Sequence, residues 1–393
     1  MKKIIISIAL LGTLSSCDKT EPTDITSMSQ AVVENYAANA LASYEDAVST
    51  AKVLQTKVNS FLENPSEQGL ADCKAAWIAS RVPYLQTEAF RFYGGPIDEE
   101  TNNFERLINA WPLNEVFIDY VVSENKQDSV IYGGVINDVA NYPVISKEVL
   151  LGDNGKNGEN DVKVGYHAVE FLLWGQDLYA DGPGKRPYTD YLEGGTAKNQ
   201  KRRGQYLKVV VDLLVEDLNA VKSQWETGGA YRTDFTAPAN VTQSLTNMLN
   251  GMGKLTKGEL SGARMAVLLA SKAQEDEHSC FSDNTNNDYK YDEAGIYNVY
   301  LGKYTRVDGT VLDGPGIDDL VKAKIAGINL SSIARFDAAV AVINALPVPI
   351  DQGVIKNEAA FKKAINALRD QADQLVISAD AIGIKLNIPE RNQ

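Results

Sequence analysis

The run Gly165-Tyr166-His167-Ala168-Val169-Glu170-Phe171-Leu172-Leu173-Trp174-Gly175 sets one imidazole and one carboxylate in a strongly apolar stretch. On a helix, His167 and Glu170 share a face. Apolar residues cover the other directions, so the helix is expected to be buried. A buried imidazole or carboxylate without a partner costs on the order of a few kcal/mol, so the two must hold each other or hold something else. The chain has only 2 histidines. The other, His278, follows Glu275, Asp276 and Glu277. Imidazole with carboxylate is a donor set for iron, zinc or copper, whereas all-oxygen sets suit calcium or magnesium. His167, Glu170, Glu275, Glu277 and His278 are therefore candidate metal ligands, and the two segments are expected to meet in one site. The same residues would also serve as a buried hydrogen-bonded network holding two helices in register.

Hydrolysis is a second possibility, with Glu170 as general base to a metal-bound water. Neither a His-Glu-x-x-His motif nor a Gly-x-Ser-x-Gly elbow occurs. A third is binding without chemistry. Between Ser66 and Phe92 one stripe is apolar, and a second runs through Trp77, Arg81, Tyr84, Glu88 and Arg91. A helix enclosed on both faces would bury those charges, either as the wall of a ligand pocket or as an ion network.

The elements that must position these residues read as helices. Val33, Tyr36, Ala40, Tyr44, Ala47, Ala51, Leu54, Val58 and Phe61 predict a long amphipathic helix over 28–63, closed by Asn64-Pro65. The second helix is expected over 66–92 with a kink at Pro83. Further helices are expected over 199–225, 241–251 and 258–278, and two more finish the chain. Residues 281–316, rich in Asn, Asp, Tyr and Gly, read as a long loop or lid. A hairpin over 304–311 is the exception to an all-α pattern of two packed helical bundles, 28–235 and 236–393, with the site at their interface. Arg186, Arg202 and Arg203 are expected on a solvated face.

The formal charge is -14, which excludes nucleic acid as an expected partner. Lys2 and Lys3 precede an apolar run, Ile4 to Leu14, and then Ser15-Ser16-Cys17. That run is shorter than the roughly 20 residues a membrane span needs. It has the form of a lipoprotein signal over 1–16, with Cys17 lipidated and 17–27 as a tether; an ordinary secretory signal is the alternative. The expectation is an exported, lipid-anchored protein, with no later stretch long and apolar enough to cross a bilayer. Export permits disulfides, yet Cys73 falls on an apolar helical stripe and is expected to be a buried free thiol rather than bridged to Cys280.

Taken together, Gly165-x-His167-x-x-Glu170 with Phe171-Leu172-Leu173-Trp174-Gly175 resembles the signature of the imelysin family. So do Trp77-x-x-x-Arg81-x-Pro83-Tyr84-x-x-x-Glu88-Ala89-Phe90-Arg91-Phe92, Asp181-Gly182-Pro183-Gly184-x-Arg186-Pro187 and Glu275-x-Glu277-His278-Ser279-Cys280-Phe281-Ser282-Asp283-Asn284. The resemblance implies a two-domain all-α fold with a shared site, in an exported bacterial protein linked to iron uptake. The family is filed among metallopeptidases, so peptidase activity at the same site is the alternative. By the resemblance Ser279 and Asp283 join the ligand-binding residues. It also implies a metal ion or metal-bearing small ligand as cargo, iron-uptake proteins as partners, and an outer-membrane anchor facing the periplasm or the cell surface.

Overall fold

The computed structural model describes residues 25–123, 129–158, 160–180 and 182–389. The signal segment, Cys17 and the start of the tether lie outside the described residues, as does Asp181. The architecture is all-α. Helix α1 (Ile25–Glu63) buries Val33, Tyr36, Ala40, Tyr44, Ala47, Ala51, Leu54, Val58 and Phe61, the stripe its spacing predicts. It packs between α2 (Glu67–Gln86) and a helix at Gln200–Trp225. Ser66 caps α2 by accepting from the Gly69 backbone N–H at 3.1 Å. The helix passes through Pro83 and tightens into a 3-10 turn, Thr87–Phe90, that carries Glu88.

Helix α3 (Tyr166–Trp174) is enclosed along its whole length. Gly165 (φ +90°) and Gly175 (φ +74°) flank it in the left-handed region that glycine enters without steric cost. A Cβ at Gly165 would also stand 2.7 Å from the Ile108 carbonyl oxygen. This helix is thus a short plug clamped at both ends, lying against α2 and against α4, the helix at Gln200–Trp225.

The rest of the fold departs from expectation in four places. Helix α5 (Val241–Gly253) runs on through a π-type stretch, Lys254–Ala266, into Val267–Ser271 and stops at Lys272, whose φ is +55°. His278 therefore lies beyond the helix, not at its end. Residues 281–316 are not one long loop, because α6 (Thr285–Leu301) occupies their centre. The expected hairpin is present, pairing Lys303–Thr305 with Val311–Asp313. Helices α7 (Ile317–Asn344) and α8 (Glu358–Ala381) pack lengthwise, and α6 bridges α7 and α2.

Helix α7 is the third departure. Its most apolar stretch has a mean hydropathy of 1.3, so by length and composition it could cross a bilayer. Its apolarity comes from alanines spread among isoleucines and valines, a pattern that shows no single apolar block. Phe336, Ala339 and Ile343 face inward while Leu330 is 70% exposed.

Arg186 and Arg203 are the fourth. Both are buried, and both reach the buried carboxylate of Asp119, at 2.8 Å from Arg186 Nη1 and 2.6 Å from Arg203 Nε. Arg202 is partly buried and caps backbone carbonyls, including Ile136 O at 2.8 Å. Cys73 and Cys280 are free and buried.

Candidate functional site

The end of α2, helix α3, the segment 277–283 and the start of α6 converge. His167 Nδ1 lies 2.8 Å from Glu170 Oε2. The other carboxylate oxygen, Oε1, accepts from Ser282 N at 3.0 Å and from Ser282 Oγ at 2.7 Å. Both oxygens of Glu170 are thus engaged. Burial pushes its carboxyl up to about 8, against the pull of the Ser282 hydroxyl. The Nε2 atom of His167 is buried without a hydrogen-bond partner among the described residues.

The His278 ring stands beside it, with ring centroids 5.1 Å apart. His278 Nδ1 is 3.4 Å from Asp288 Oδ2, but too poorly aligned for a hydrogen bond. Burial drives both imidazoles well below their ordinary pKa. For His167 the Arg81 and Arg264 guanidiniums add to that push, and for His278 Arg264 and the neighbouring His167 do. Each imidazole thus has a buried nitrogen without a hydrogen-bond partner among the described residues. In its ionised form Glu170 accepts the Nδ1–H of His167 and leaves Nε2 the lone pair a metal would take, a recurrent support for metal ligation. Among the described residues, however, no three His, Cys, Asp or Glu side chains stand close enough together to hold an ion.

Around the histidines runs a buried ion network. Arg81 bonds Asp288 Oδ1 at 3.1 Å and Asn109 Oδ1 at 2.5 Å. Its guanidinium lies 5.6, 5.5 and 5.0 Å from the rings of Trp77, Tyr84 and Tyr166. Trp77 in turn donates to the Tyr166 carbonyl at 3.0 Å, tying α2 to α3. Glu88 accepts from Asn109 at 2.8 Å, from Arg91 at 3.1 Å, and from Arg264 on its other oxygen. Burial alone would raise the Glu88 carboxyl; Arg264 and Arg91 outweigh it and hold Glu88 below the ordinary carboxylate range. Arg264 also bonds Asp292 at 2.5 Å, and Arg91 reaches Glu105 at 3.1 Å. Ser279 donates its hydroxyl to Asp288.

The sequence-derived residues divide accordingly. His167, Glu170, His278, Ser279, Trp77, Arg81, Tyr84, Glu88 and Arg91 belong to one connected buried assembly. Glu275 is exposed, and Asp283 is partly exposed with a φ of +56°. Glu277 is fully buried, and among the described residues neither carboxylate oxygen has a well-aligned hydrogen-bond partner. Burial raises its carboxyl well above the ordinary range; the Thr285 hydroxyl opposes this, and Asp351, Asp283 and Asp177 add to it. Its electrostatic neighbours are thus carboxylates, not the imidazoles.

Asp288, Asp292, Asn109 and Arg264 escaped the sequence reading, and Ser282 stood there only as part of a motif, without a role. Asp288 and Asp292 are four apart on α6, a spacing that marks one helix face, but a polar face reads as solvated.

Outside His278 lies a cavity of about 540 Å³, walled by Arg91, Arg106, Arg264, Glu105, Glu259 and Trp111 among others. The Trp111 indole N–H is anchored on the Glu277 carbonyl at 2.7 Å.

Comparison with known proteins agrees with this architecture. The sequence profile of a peptidase family, M75, described as Imelysin, matches residues 40–375. Iron-regulated protein A of Synechococcus elongatus is 22% identical over 277 residues, 68% of this chain. The matched stretch takes in 62% of that relative, so the chain spans less than two thirds of its length. A solved structure from Parabacteroides distasonis, described as an iron-regulated protein A precursor, superposes with a TM-score of 0.72 at 20% identity, covering 93% of this chain and 97% of that one. An imelysin-like protein from Psychrobacter arcticus superposes with a TM-score of 0.63 at 12% identity, covering 92% and 98%. At these identities the two structures speak for the fold.

Proposed function

The chain belongs to the imelysin family, and from that premise we propose that it binds iron, another metal or a metal-bearing ligand during iron uptake, at the His167–His278 site. The observation that carries this reading is the pair of buried imidazoles, ring centroids 5.1 Å apart, whose His167 Nε2 and His278 Nδ1 atoms have no hydrogen-bond partner among the described residues. Buried nitrogens are rarely left unpaired without a ligand or a water to meet them. The name of the cyanobacterial relative supports iron as the metal. Glu170 is then the residue that orients His167, rather than a ligand itself. The alternative, a metallopeptidase, would need Glu170 free to take a proton from metal-bound water, whereas His167 and Ser282 engage both its oxygens.

Equilibrium dialysis against ferrous, ferric, zinc and copper ions and ferric citrate, with elemental analysis, tests the reading. Wild type should retain near-stoichiometric metal, and a His167→Ala, His278→Ala variant should not. Equal retention by the two proteins would remove the histidines from the account.

We also place the protein at the cell envelope, anchored through lipidated Cys17 in the outer membrane, facing the periplasm or the surface. Uptake proteins there would be its partners. Cys17→Ser should move the protein from the membrane to the soluble fraction. Unchanged fractionation would rule the anchor out.

A further inference from the structure

The cavity outside His278 is far larger than a bare ion requires, and its volume of about 540 Å³ falls in the range of small-molecule pockets. The protein side chains around the histidines also fall short of a bare-ion site, since no group of three donors converges among the described residues. Two imidazole nitrogens alone leave a metal short of the four or more ligands it takes. A metal held here must therefore bring donors of its own.

The wall indicates what kind. Three arginines, Arg91, Arg106 and Arg264, and two glutamates, Glu105 and Glu259, line it. Arg91 and Arg264 are held and offset by Glu88, Glu105 and Asp292 and form the floor, which leaves Arg106 as the arginine to meet a ligand anion. Arg106 is exposed and, among the described residues, donates one weak bond, from Nη2 to the Gly155 carbonyl at 3.4 Å. Gly155 sits at φ +72°, and a Cβ there would come within 1.7 Å of that same Nη2. The loop thus holds the Arg106 guanidinium against its backbone while leaving most of its donors open. A planar fork of this kind suits carboxylate and other oxyanions.

We propose that the cargo is an anionic, carboxylate-bearing small-molecule chelate of iron, which docks its oxyanions on the arginine wall with the metal at the His278 end. The proposal rests on the metal-binding reading above and narrows it.

Isothermal titration of the full chain separates the two. The probes are ferric citrate in excess citrate, citrate alone, ferrous and zinc ions, and ferrioxamine B, an iron chelate of net positive charge. Ferric citrate should bind at least about tenfold more tightly than any other probe. Arg106→Glu, at an exposed position, should keep the wild-type circular dichroism and weaken ferric citrate at least about tenfold. If bare ions or ferrioxamine bind as tightly as ferric citrate, or if Arg106→Glu has no effect, the chelate inference falls while the metal-binding reading stands. If citrate alone binds as tightly, the pocket is an anion site and the chelate inference is likewise overturned. If nothing containing metal binds, both fall.

Discussion

Glu88→Ala is expected to cost about 3–5 kcal/mol of stability, because it removes the buried counter-charge that two guanidiniums share. Glu88 is fully buried and joins Arg91, Arg264 and Asn109 in one contact set. Asn109 in turn holds Arg81, so the loss would spread toward the histidines. Arg91 keeps Glu105, and Arg264 keeps Asp292, which is why a full collapse of the fold is not expected. Glu88→Gln retains the volume and some of the hydrogen bonds but removes the charge, so its loss should be smaller. Urea denaturation followed by circular dichroism measures both. A Glu88→Ala midpoint equal to wild type would mean that the network carries no stability and that its charges are solvated in solution.

Glu170→Gln is expected to weaken metal binding by about 10–100-fold, the usual effect of removing a carboxylate that orients a ligating histidine. Glu170 fixes the His167 ring through Nδ1, and Ser282 fixes Glu170 through two bonds to Oε1. A ring held from one nitrogen presents the other in a single direction. Glutamine keeps the volume but cannot match all three contacts at once. His167→Ala should abolish binding outright, so the graded order separates a positioning residue from a ligand. Affinity unchanged in Glu170→Gln would detach Glu170 from the binding function. Glu170→Ala should in addition cost about 1–3 kcal/mol of stability, since Ser282 and His167 lose a buried partner.

Most of the scaffold was legible because burial and apolarity coincide in it. The stripe on α1 and the enclosed run of α3 are buried where their spacing places them. The charged stripe of α2 was legible as well, since Trp77, Arg81 and Tyr84 interrupt an otherwise apolar face. What stayed hidden is polar and buried at the same time. Asp288 and Asp292 lie on the inner face of α6, next to Tyr289, Ile296 and Tyr300. Their charge made residues 281–316 look like a solvated loop. Arg186 and Arg203 misled for the same reason, because the carboxylate that encloses them, Asp119, is more than sixty residues away in sequence. The end of the helix before His278 turned on the backbone of Lys272, which enters the left-handed region without the glycine or asparagine that usually signals it. Glu277 sat one residue from a candidate ligand and was grouped with it, although its neighbours are carboxylates.

The most direct measurement is anomalous diffraction at the iron edge from crystals soaked in ferric citrate. The account predicts a single strong peak about 2–2.2 Å from an imidazole nitrogen of His167 or His278, with citrate density reaching toward Arg106. Iron found only at surface carboxylates, or no bound iron at all, would contradict the claim that the two buried imidazoles are a metal-binding site.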